Sequence, residues 1–161
     1  MEGFFIGLRG IPLIAKYLIT AFIGMVPIIE IRGAIPLGVA MDLSYIEAYI
    51  AAFIGNIIPI FFIVKYIRPL FDFFGKFKPL KMVIDWATNK IKDNPKLQTA
   101  ASWALFAFVA IPLPSTGAWV GSLIANFLDL PLKKAFLPLA LGVATAGVIV
   151  LIATGAVVAM V

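Results

Sequence analysis

Two stretches of this chain, Leu97–Leu128 and Ala135–Val161, contain no ionisable residue, and each exceeds the roughly 20 residues that cross the hydrocarbon core of a bilayer. Ala48–Val64 is a third run, free of formal charge. A soluble domain has nowhere to bury so much uninterrupted apolar chain, and the composition agrees: 63% of the 161 residues are apolar and 13% charged, with a mean hydropathy of +1.08. The fold class expected is an all-α integral membrane protein, one membrane domain over residues 1–161, multi-pass in a prokaryotic-type inner or plasma membrane. Met1-Glu2-Gly3 lacks the basic start of a signal peptide and no A-x-A site follows the first apolar run, so that segment is expected to stay in the mature protein.

Cysteine and histidine are absent. That removes disulfides, thiol nucleophiles, imidazole bases and the usual zinc or haem ligands, so no cofactor and no metal is expected. No catalytic triad, carboxylate pair or phosphate-cradling loop can be assembled either, and an enzyme is not expected. The net charge of +5 does not point to nucleic acid. Eight of the thirteen Lys/Arg residues lie between Lys65 and Lys96, the bias of a cytoplasmic loop facing anionic membrane lipids.

Along the chain the same series of events occurs twice. An apolar arm (residues 11–29) meets a polar break at Glu30 and Arg32; a short arm (Gly33–Met41) follows; then Asp42-Leu43-Ser44 starts a long helix from Tyr45 to about Arg68. After an amphipathic linker over 70–95, in which Lys81–Lys92 reads as a helix lying along the cytoplasmic headgroups, an arm from Lys96 meets "IPLPSTGAWVG". A short arm (Trp119–Leu128), Asp129-Leu130-Pro131 and a final long helix from Leu132 complete the second series. An offset of 87 lays Asp42-Leu43 over Asp129-Leu130, Ala48 over Ala135, Tyr49 over Phe136 and Gly55 over Gly142, while Gly33-Ala34 matches Gly117-Ala118 only across a gap of three.

Arms of about ten residues cannot cross a bilayer as helices at 1.5 Å per residue. The expectation is an inverted repeat in which each copy is a re-entrant helical hairpin plus one transmembrane helix, with repeat 1 at about 11–69 and repeat 2 at about 96–161. Full crossing by residues 11–29 is the alternative, and it would suit Arg9 and Lys16 better. Unpaired backbone groups in lipid cost several kcal/mol, so the two tips are expected to meet. Amide groups at Arg32-Gly33-Ala34 and at Ser115-Thr116-Gly117, together with the Arg32 guanidinium, would then make an anion site. Glu30 beside Arg32 could exchange protons, or the two could form a static ion pair. Ser115 and Thr116 could instead satisfy backbone, Trp119 could fill space, and Asn56 and Asn126 read as interhelical hydrogen-bond formers. Gly142, Gly147 and Gly155 suggest close helix packing or a dimer face.

"EIRGAIPLG" (30–38) and "PLPSTGAWVG" (112–121) resemble the paired signatures of the small multidrug export protein family, a distant relative of the DedA membrane proteins. The resemblance covers nearly the whole chain. It implies two re-entrant hairpins and a transport role, with proton-dependent transport and lipid-phosphate flipping on the DedA side. By position it implies that Glu30 and Arg32 are functional residues of the first hairpin, and that Pro112, Pro114 and Thr116 belong to the second. The further acidic and arginine residues of DedA proteins around the second hairpin have no counterpart between Lys96 and Asp129.

The function expected is a small secondary transporter or flippase for an amphipathic, anionic, lipid-phosphate-like substrate, proton-coupled, working as a homodimer among membrane lipids. The substrate and proton site would comprise Glu30, Arg32, Gly33, Pro36, Pro112, Pro114, Ser115, Thr116, Gly117 and Trp119. The alternatives are a proton-coupled exporter of cationic drugs and a non-transporting membrane scaffold.

Overall fold

A computed structural model describes residues 10–74, 91, 94–112 and 117–160, with backbone alone over 68–74. The described residues form six helices and no strand: α1 (Leu13–Met25), α2 (Glu30–Ala40), α3 (Tyr45–Phe74), α4 (Pro95–Ala110), α5 (Ala118–Phe127) and α6 (Leu132–Met160). Two of them are long and apolar enough to cross a membrane, α3 over Tyr45–Ile67 and α6 over its whole length. At 1.5 Å per residue α1, α2 and α5 reach only about 20, 16 and 15 Å, short of the roughly 30 Å hydrocarbon core. The amphipathic helix expected over Lys81–Lys92 lies outside the described residues, apart from Ile91.

Local chemistry sets the helix ends. Ser44 and Glu47 form a capping box at the start of α3: the Ser44 N–H donates to Glu47 Oε2 (2.8 Å) and the Glu47 N–H to Ser44 Oγ (3.3 Å). Asn94 Oδ1 accepts from the amides of Lys96 and Leu97 at 3.0 and 3.3 Å, and Pro95 begins α4, so the Asn-Pro pair that ends the linker also starts a helix. Helices α2 and α5 end in the same Schellman motif. Leu43 N–H donates to Gly38 O and Asp42 N–H to Val39 O (3.1 and 3.0 Å); Leu130 N–H donates to Ala125 O and Asp129 N–H to Asn126 O (3.0 Å each). Asp42 and Asp129 take the left-handed conformation that closes the motif, with φ of 64° and 54°. All four donors and all four acceptors correspond at an offset of 87, as do the helix starts at Tyr45 and Leu132.

Packing follows the same correspondence. α1 packs on α3 and α4 on α6; α2 packs on α3 and α5 on α6; across the two units α2 meets α6, α5 meets α3, and α3 meets α6. Ala48 and Ala135 are both fully buried. Gly55 sits on the backbone of Ala21 in α1, and Gly142 sits on Val109 and the Phe106 carbonyl in α4; a methyl group at either position would collide. Gly142 and Gly147, the latter against Ile31 and Tyr49, therefore serve packing within the chain. Upstream the helix starts at Glu30 and Ala118 are 88 positions apart, one more than the offset that relates α3 to α6.

The two long helices run antiparallel. Tyr45 lies nearest Gly155, the Tyr49 hydroxyl donates to Ala144 O (3.2 Å), and the Phe61 ring meets Phe136 edge-on at 6.1 Å. Between them and the short helices lies a core that includes Ile31, Ile35, Ile60, Val109, Leu139 and Val143.

Candidate functional site

The break between α1 and α2 is where the chain departs from ordinary geometry. Ile28 has φ 78° and Glu30 has φ 49°, left-handed values that cost a non-glycine residue about 1–2 kcal/mol. Such strain persists only where the surroundings over-determine it. Here the determinant is the Glu30 carboxylate, which is buried at 4% exposure and reaches the start of α5: Oε2 accepts from the Ala118 N–H (3.2 Å) and Oε1 from the Trp119 N–H (3.1 Å). These are among the four amides that a helix start leaves without an internal partner, at the positive end of its dipole. Gly117, the residue before them, is buried with the Glu30 carboxylate oxygens where its side chain would be. Glycine is required there because the carboxylate needs the room.

A second tie joins the same units. The Trp119 indole N–H donates to the Met25 carbonyl (3.1 Å), one of the acceptors left over at the end of α1. The two breaks thus meet. The anion site was expected at the amides of Ser115-Thr116-Gly117; in the fold the amides of Ala118 and Trp119 hold an anion, and that anion is a side chain of this chain, 88 residues away from the first of them.

Arg32 lies in the first turn of α2, half-buried and near enough for the Glu30 charge to act on it. It opens into a cavity of about 920 Å³. One wall is a single face of α2, Arg32, Pro36, Val39 and Ala40, continuing to Asp42; the other is Ile149–Val158 of α6, with Pro112 beside them. The space runs about 12 Å along α2 from Arg32 to Ala40, cationic at the Arg32 end, acidic at Asp42 and largely apolar between. Of the residues expected at the site, Glu30, Gly117 and Trp119 therefore form the junction, and Arg32, Pro36 and Pro112 line the cavity. Gly33 is in the first turn of α2, where a β-carbon would strike Ile29. Pro114, Ser115 and Thr116 lie outside the described residues.

A family model described as "Putative small multi-drug export protein" matches residues 30–149, from Glu30 at the start of α2 through the second break and into α6. The chain belongs to this family. No curated protein and no solved structure matches it. The small multi-drug export family is by its description one of transporters, and a transport protein of the membrane agrees with two helices of spanning length. The match takes in Glu30, Arg32, Pro36, Pro112, Gly117 and Trp119.

Two residues that contribute to the arrangement gave weaker signals. Asn126, expected to form an interhelical hydrogen bond, donates through Nδ2 to Ile63 O of α3 and to Ser122 O, each at 3.0 Å. Asn56 carries the same expectation, yet it is fully buried and neither amide atom has a hydrogen-bond partner among the described residues. Asp42 lines the cavity wall through its place in the Schellman motif; the sequence marked it only as a helix start. Among the described residues no group of His, Cys, Asp or Glu could hold a metal ion.

Proposed function

We propose that this member of the small multi-drug export family is a secondary transporter of amphipathic anions, lipid-phosphate-like in character, built as an inverted repeat. In this reading α1–α2 and α4–α5 are re-entrant hairpins entering from opposite faces, and α3 and α6 make the crossings. The observation that carries it is the Glu30 carboxylate bound by the α5 amides. A strained, buried acid held across two units is held by interactions that an incoming anion or a proton can replace. Arg32 supplies a bidentate donor for a phosphate or carboxylate head, and the apolar cavity beside it accommodates a hydrocarbon tail. Protonation of Glu30 removes the charge that the helix dipole stabilises and releases the two N–H groups to the substrate. Proton and anion would then move together. The C-terminal half of α6 is exposed, with Ile152 at 68% and Val157 at 61%, and lipid or a second copy of the chain would cover it in a homodimer.

The family description favours a second reading, export of a cationic amphiphile with Glu30 as counter-ion. Reconstituted protein tested with a fluorescent anionic lipid phosphate and with a lipophilic cation, each under an imposed pH gradient, separates the two. The expected result is anion movement that falls at least about tenfold in Arg32→Ala, the factor expected for a charge-assisted hydrogen bond, and that loses its response to the gradient in Glu30→Gln. Preference for the cation would favour the second reading. Absence of flux with an innocuous Glu30→Gln would favour a scaffold.

A further inference from the structure

Asn56 is fully buried in α3, and neither its amide oxygen nor its amide nitrogen is hydrogen-bonded among the described residues. Its neighbours fix its place. Tyr49, Asn56 and Ile63 are spaced by seven, close to two helical turns, so they share one stripe of α3. At one end of the stripe Gly147 packs on both Tyr49 and Ile31, the residue after Glu30. At the other end the Ile63 carbonyl accepts from Asn126 of α5. α5 runs antiparallel to α6, into which its Schellman turn leads and on whose Leu139 its Gly121 packs, so it runs parallel to α3. Two turns, about 10 Å, back from Ile63 lies Asn56, and the same distance back from Asn126 lies Trp119. Trp119 is the residue whose amide N–H holds Glu30 and whose indole N–H holds Met25. Asn56 is therefore level with the Glu30 junction, on the stripe of α3 that meets α2 at one end and α5 at the other.

We infer that Asn56 receives the side chain of Glu30 once that side chain has taken a proton from water. A carboxylate accepts only, and the α5 amides give it two donors; a protonated carboxyl group has one O–H and one carbonyl oxygen, and a primary amide presents the matching acceptor and donor side by side. The Glu30 O–H donates to Asn56 Oδ1 while Asn56 Nδ2 donates to the other Glu30 oxygen. Both unpaired atoms are then used, and the Ala118 and Trp119 N–H groups are left to an incoming anion. This rests on the transport reading above and deepens it by naming where the carboxyl group goes. The second copy supports the pairing: at an offset of 87 the core residue Val143 stands for Asn56, and Gly117 stands for Glu30. The copy with the acid has the amide, and the copy without the acid fills the place with an apolar side chain. An unpaired buried amide lowers stability, a cost that a functional site can carry. Among other ionisable groups, Arg32 acts on Glu30 from α2, and the Tyr49 hydroxyl is engaged on Ala144 O; residues 18–29, 50–64, 97–128 and 135–160 contain none.

Infrared difference spectra between neutral and acid pH, recorded on the full chain in liposomes, read the carboxyl group directly, because the C=O stretch of a protonated acid falls in frequency when it is hydrogen-bonded. The native protein should show an acid band that is absent in Glu30→Gln and lies at a hydrogen-bonded frequency. In Asn56→Leu that band should move to the frequency of an isolated carboxyl group, and the response of anion flux to a pH gradient should fall about tenfold, the factor that two ordinary hydrogen bonds support. Asn56→Val, which installs the residue found at position 143, serves if Asn56→Leu does not yield monodisperse protein. The inference is overturned if the Glu30 band of the native protein lies at the isolated frequency, if it fails to grow down to the lowest pH at which the native fold persists, or if it ignores replacement of Asn56. The last is the result expected of an amide that holds only a buried water molecule. If the band depends on Asn56 while native protein moves no anion, the transport reading fails and the acid–amide pair stands. If native flux requires Arg32 but the band ignores Asn56, the pair fails alone.

Discussion

At the scale of single residues the molecule turns on one carboxylate. Glu30 sits in the left-handed region at φ 49° with its side chain on two amides of α5, and Gly117 leaves the space it fills. Gly117→Ala should displace the carboxylate and impair transport as severely as Glu30→Gln, measured as flux in proteoliposomes; activity at the native level would mean that the carboxylate has room elsewhere. Asn56 offers the opposite test. A buried amide without partners costs about 1–3 kcal/mol, so Asn56→Leu should raise thermal stability by about 1 kcal/mol in detergent, whereas Asn126→Leu, which removes a made bond, should lower it. The sequence singled out Glu30 and Arg32, since charges at membrane depth have few structural uses. It could not disclose that Glu30 would fill the α5 amides, because backbone donors have no residue code and the partners are 88 and 89 positions apart.

At the scale of elements, the long helices and both breaks were legible, because prolines, Asp-Leu starts and unbroken apolar runs carry strong local signals. The short helix α2 was less so. It begins at Glu30, three residues before the apolar arm that marked it, since the charged pair that interrupts the hydrophobic pattern lies within its first turn. The Schellman ends were hidden too: aspartate at the left-handed position resembles a helix start in sequence. Asp42→Gly and Asp129→Gly each remove up to about 1 kcal/mol of backbone strain, since glycine reaches that conformation freely, along with the interactions that the aspartates make; the thermal unfolding temperature should rise where the strain outweighs those interactions, and a fall would put the interactions above the strain. Gly55→Leu should prevent α1 from seating on α3, because the obstacle is Ala21 backbone rather than a flexible side chain, and should cost at least about 2 kcal/mol or abolish folding.

Among the described residues, the two halves agree in the starts of α3 and α6, in the Schellman ends of α2 and α5 and in packing partners, and differ in charge. Glu47 accepts from the Tyr17 hydroxyl at 2.5 Å, and Lys134, its counterpart at an offset of 87, donates to Gln98 at 2.7 Å. The order of events was visible in the sequence; the meeting of Glu30 with the α5 amides and of Trp119 with Met25 required the fold. Everything proposed for transport depends on whether the Glu30 charge is held by the start of α5. The most direct measurement is the NMR chemical shift of the Ala118 and Trp119 amide protons in a membrane mimetic, native protein against Glu30→Gln. The account predicts that both amides lie downfield in the native protein, as donors to a carboxylate, and move upfield together in Glu30→Gln; amides that ignore the substitution would contradict it.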